Sequence, residues 1–130
     1  MVDDDEQRAL DATRSIRDEA LALADVLTEF AELYSGWADR LEAGTRVAEL
    51  VRTAGWRAHR ERLSRSLEQF SDRRHRWRML MTAASLADGM TITAIAACTG
   101  ISRQLASRYA AEARREADGR VAADGAAPQA

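Results

Sequence analysis

The sequence contains no lysine: all 19 of its basic residues are arginine. Alanine is abundant as well, and the two biases fit a GC-rich coding preference as readily as a binding role, so the missing lysine assigns nothing. Cysteine occurs once, at Cys98, which excludes an intrachain disulfide and suits a reducing interior. No apolar run approaches the ~18 residues of a membrane-spanning helix. The opening MVDDDEQRAL is acidic and lacks the apolar stretch of a secretory leader. The expected setting is soluble and cytoplasmic, with no membrane partner.

The marks of catalysis are absent too. No Gly-rich phosphate loop follows a strand pattern, and no nucleophile–base set is evident. His59 and His75 lie far apart in sequence, without a carboxylate or cysteine cluster at ligand spacing, so no metal site is expected. A chain of 130 residues suits one small domain, or an oligomerising segment joined to a miniature domain, and leaves little room for a large cleft. Neither an enzyme nor a cofactor is expected.

What is present is a polarised charge. Residues 1–45 carry 4 Arg against 12 Asp and Glu, residues 46–90 carry 10 against 5, and residues 91–130 carry 5 against 4. The net −2 of the chain therefore divides into −8, +5 and +1. The acidic first third would repel phosphate, which directs any polyanion to the second half.

Along the first half, apolar residues recur with helical spacing. Ile16, Leu23, Phe30 and Trp37 are seven apart, and Ala20, Leu27, Tyr34 and Leu41 follow each by four. The pattern predicts a long helix from about Asp4 to Glu42, with these residues as the two edges of one seam. Such a helix spans roughly 58 Å at ~1.5 Å per residue and must find a partner along its length. Gly44-Thr45 predicts a break. A second, less regular series, Trp56, Leu63, Phe70 and Trp77, has Leu67 and Met81 on the adjacent edge, where Arg60 and Arg74 interrupt it. Gly55 predicts a bend or break. The aromatics are read as packing rather than as a stacking platform. An antiparallel hairpin, or a coiled coil between chains, satisfies the seam.

The third section is more specific. DRRHRWRMLMTAASLADG, Asp72 to Gly89, predicts an apolar helix with Trp77, Leu80, Met81 and Ala84, ending at a glycine. Thr91 suits an N-cap for a short helix, Ile92 to Cys98, in which Cys98 is expected to be buried as a small hydrophobe. Gly100 makes the turn, Ile101 plugs the angle, and Ser102 caps a longer helix to about Glu116. On that helix Arg103, Gln104, Ser107 and Arg108 point away from Leu105, Ala106 and Tyr109, and they form a face without an acid.

This stretch resembles the helix-turn-helix DNA-binding family in its three-helix form, found in resolvase-like and many bacterial regulator domains, over about residues 72–116. The small residue four before the turn glycine corresponds to Ala96 and Gly100. The bracketing apolar positions correspond to Ile95, Ile101 and Tyr109, and Thr99–Gln104, TGISRQ, is similar to the usual turn and recognition-helix start. Ala106 departs from the Val or Ile usual six after the glycine, and a slight rotation bringing in Leu105 would compensate. The resemblance implies major-groove reading. Arg pairs bidentately with guanine and Gln with adenine, which gives Arg103, Gln104, Ser107 and Arg108 base-reading roles beside Ser102, Thr91 and Thr93. Within the basic run RRHRWR, Arg76 and Arg78 are candidates for phosphate contact. A second helix-turn-helix over Arg46–Leu63, around Gly55, is rejected because Glu61 falls at its apolar core position.

The expected organisation is all-α: a helical oligomerisation region at 1–71, a helix-turn-helix unit at 72–117 and a disordered tail at 118–130. The oligomer seam is Ile16, Leu23, Leu27, Phe30, Tyr34, Trp37 and Leu41. The expected function is sequence-specific duplex DNA binding as a homodimeric, nucleoid-associated transcriptional regulator. A helical adaptor whose acidic helix recruits a protein partner is the alternative from another class. A phage or plasmid recombination or partition accessory factor shares the DNA-binding step.

Overall fold

The computed structural model describes residues 3–125, and among them there are five helices and no strand. These are α1 (Asp4–Glu42), α2 (Val47–Thr53), α3 (Trp56–Ala87), α4 (Ile92–Thr99) and α5 (Arg103–Gly125). The all-α expectation and the bounds of the long first helix are met. Asp4, Asp5 and Glu6 occupy the first turn of α1 and Arg40 the last, each sign opposing the helix dipole at its end.

The helices divide into two compact units. One is Ser15–Arg73; the other joins the residues up to Arg14 with those from Arg74 onward. In Ser15–Arg73, α1 and α3 run antiparallel. The Arg73 side chain reaches Ser15 (3.4 Å) and Glu19 (3.8 Å), Arg62 pairs with Glu29, and Trp56 stacks on Trp37 with ring centroids 4.8 Å apart. Phe30 is buried, with the His59 ring edge against it. The short α2 contributes buried Leu50, and Arg40 donates to the Thr53 hydroxyl at 3.1 Å. Gly55 turns the chain between α2 and α3, and Glu61 is exposed.

The inward face of α1 is not quite the one its heptads suggest. Ile16, Leu23, Phe30 and Trp37 face inward, but their companions are the residues three further on, Glu19, Val26, Leu33 and Arg40. Leu27, Tyr34 and Leu41 are 46%, 48% and 39% exposed and lie outside the intrachain seam. Both spacings place residues on neighbouring positions of a helix, and the position of α3 selects one of them. On α3 the same shift turns His59, Leu63, Ser66 and Phe70 inward, so Arg60 and Arg74 stand on the surface and do not interrupt the seam.

The C-terminal unit has one more helical segment than a trihelical arrangement. Ala12 is buried with Met79 and Leu80 of α3 and Ala113 of α5, and Ala9 is buried nearby in the sequence. The Trp77 indole N–H donates to the Thr13 hydroxyl at 3.0 Å. The small side chains of Ala9 and Ala12 permit this approach. A boundary at 71/72 thus separates residues that the structure unites, since α3 is unbroken there and the first turns of α1 pack with the C-terminal helices. The tail expected to be disordered from Asp118 is helical to Gly125, while 126–130 lie outside the described residues. Alanines at 117, 122 and 123 favour helix, and Arg120 pairs with Asp4 at 3.6 Å.

Candidate nucleic-acid interface

The candidate interface is built by two capped helices. After α3, the Met90 N–H donates to the Ser85 carbonyl and the Gly89 N–H to that of Leu86, a Schellman closure with Gly89 at positive φ. The Thr91 side-chain oxygen then accepts from the Ala94 N–H at 3.1 Å and opens α4. Two turns later Gly100 takes the left-handed conformation, φ 76° and ψ 16°, while its N–H donates to the Ala96 carbonyl at 2.9 Å. Ser102 caps α5 by accepting from the Leu105 N–H at 3.0 Å.

Ile95 and Ala96 of α4 and Ala106, Tyr109 and Ala113 of α5 are buried, and α5 lies directly against α4. Ala106 is 0% exposed whereas Leu105 stays half-buried. No rotation has brought Leu105 in: the small side chain keeps its own core position. Cys98, expected to be buried, is exposed, because the two-turn helix turns Ile95 and Ala96 inward and Cys98 lies on another side.

The other side of α5 is a polar face interrupted by Ala111 and free of acids from Arg103 to Arg115. Arg103, Gln104, Ser107 and Arg108 are all exposed. At about 100° per residue, the exposed Arg114 and Arg115 return to the same arc two turns later, and the next acid on that arc is Asp118. The glutamates of α5 between them lie toward α3. Glu112 Oε2 is 2.7 Å from His75 Nε2, and the His75 ring stands edge-on to Tyr109 with centroids 5.5 Å apart. Glu116 Oε1 accepts from Arg76 at 2.6 Å and from Arg8 at 3.3 Å. Both carboxylates are thereby engaged away from the exposed arc. The arc presents four guanidinium groups, a carboxamide and a hydroxyl, donors that suit phosphate oxygens and base edges.

The remaining candidates divide. Thr91 and Thr93 are exposed at the start of α4, with the Thr91 oxygen already occupied as the cap. Arg78 is half-buried and has no ion-pair partner among the described residues. Arg76 is committed to Glu116 and serves packing within the unit. Arg114 and Arg115 escaped the sequence reading, although they follow Ser107 and Arg108 by seven and were legible to a reading that carried the face past Glu112. Arg8 was hidden in the acidic N-terminus. No protein-family model, curated protein or solved structure matches the chain.

Proposed function

We propose that this protein binds duplex DNA sequence-specifically, as a dimeric transcriptional regulator that inserts the start of α5 into the major groove. The observation that carries the proposal is the acid-free face of α5 set beside two engaged glutamates. A polyanion approaching Arg103, Gln104, Ser107 and Arg108 meets donors and no carboxylate, while Glu112 and Glu116 are held by His75, Arg76 and Arg8. Arg103 and Gln104 stand in the first turn of α5, the part of a recognition helix that meets base edges. Arg114 and Arg115 contact the backbone at the groove margin. Arg78, Thr91 and Thr93 are further contacts from α3 and α4. One recognition helix per chain calls for two copies on half-sites about 34 Å apart.

Selection from a pool of random duplexes, repeated at two salt concentrations, tests the proposal. Enrichment of a common half-site that persists at the higher salt supports it. Retention of every duplex alike would reduce the role to phosphate attraction, and no retention at either salt would leave a helical protein-binding adaptor in its place.

A further inference from the structure

The unit Ser15–Arg73 has few buried side chains for its length: Phe30 and Leu50 are its buried apolar residues. A stable helical domain needs a second layer over its apolar faces. Here one face of α1 is left over. Ala20, Ala24, Leu27, Ala31, Tyr34, Ala38 and Leu41 repeat at alternating spacings of four and three, are all exposed, and include no charged residue. The next row around the helix, Leu21, Thr28 and Ser35, is exposed and uncharged as well. Acids begin beyond it, at Asp18, Asp25, Glu32 and Asp39. Alpha-helix α1 thus carries two seams, and its own α3 occupies one.

We infer that the second seam is covered by the same seam of a second copy, with the two α1 helices antiparallel and crossing near Ala31. The inference deepens the dimeric part of the proposed function, yet it rests on this surface alone and not on DNA recognition. Three features select a second copy as the occupant. The edge of α3 on the same side, although it includes Trp56 and Leu67, carries Arg60 and Arg74, both exposed, so it cannot cover an apolar strip along its length without desolvating charge. The strip is self-complementary: Ala24, Ala31 and Ala38 leave hollows at the spacing at which Leu27 and Tyr34 supply projections, and alanines let the backbones approach. Its size also suffices. From Ala20 to Leu41 it is about 32 Å long, and the uncharged arc of a ~12 Å-wide helix gives on the order of 500 Å² per copy. With Leu67, 46% exposed, along its border, two copies bury about 1,000 Å², the threshold of a specific and reversible association.

The test uses the full chain without DNA. Light scattering at ~100 μM should give a dimer, and Ala31→Arg should weaken dimerisation at least ~100-fold while leaving helix content unchanged, since Ala31 is exposed in the single chain. In a Cys98→Ser background, Ala31→Cys should form a disulfide-linked dimer under mild oxidation, and Ala22→Cys, on another side of α1, should not. A monomeric full-length chain at that concentration overturns the inference, as does a dimer indifferent to Ala31→Arg or linked through residue 22 rather than 31. Loss of DNA binding with the dimer intact counts against α5 and not against this surface.

Discussion

The double replacement Arg114→Ala/Arg115→Ala separates phosphate contact from base reading on one helix. These residues lie six and seven positions beyond Arg108, about 9–10 Å along α5 at ~1.5 Å per residue, close to the ~12 Å width of the major groove. If the stretch from Arg103 to Arg108 meets the bases, Arg114 and Arg115 come to the bordering phosphates. Each phosphate contact contributes ~0.9 to the slope of log affinity against log salt, so removing two should flatten it by about 1.8. Over a fourfold rise from about 50 to 200 mM salt, the wild type should lose ~12-fold more affinity than the variant. Fluorescence anisotropy on the selected duplex and a scrambled one, at four salt concentrations, measures this. Both duplexes should be affected alike. Arg103→Ala should instead cost ~1–3 kcal/mol on the selected duplex and relax discrimination at one base pair. An unchanged slope in the double variant, or a loss confined to the selected duplex, refutes the assignment of Arg114 and Arg115 to the backbone.

Gly100→Ala forces a side chain into the left-handed region at φ 76°, with no neighbouring atom within 4 Å to clash; urea denaturation should show a loss of about 1–2 kcal/mol from backbone strain alone. Glu116→Gln leaves Arg8, its side chain 10% exposed, with Asp5 at 3.9 Å as its remaining ion pair; stability should fall by about 1–3 kcal/mol, less than for a fully buried pair because Glu116 is 25% exposed, and Arg8→Met in the same chain should restore part of it. Ala106→Leu overpacks a fully enclosed site and should cost about 1–3 kcal/mol, with a lowered melting temperature in circular dichroism as the readout.

Much of the fold was legible in local chemistry. The helix breaks at Gly44 and Gly100, the caps at Thr91 and Ser102, and the inward set Ile95, Ala96, Ala106 and Tyr109 follow from residue type and spacing over a few residues. The exposed positions 103, 104, 107 and 108 follow from the same periodicity. Helical ends and faces are short-range properties, decided by capping hydrogen bonds and by 3.6-residue repetition within one element.

Long-range pairing was not legible. The heptads of α1 offered α3 either the residues three on, of which Glu19 and Arg40 are charged, or the wholly apolar residues four on; the approach of α3 half-buries Val26 and Leu33 and leaves Leu27 and Tyr34 outside. Arg8 and Glu116 stand 108 residues apart and gave no sign of each other in the sequence, yet their pairing, with Ala12 against Met79 and Ala113, draws the start of α1 into the C-terminal unit. The sequence by itself determined the bounds of α1, the starts of α4 and α5 and which side of α5 is polar. The tertiary structure decided which of two possible seams is used and where the acids of α5 are held, because those outcomes depend on packing between residues that no local repeat connects.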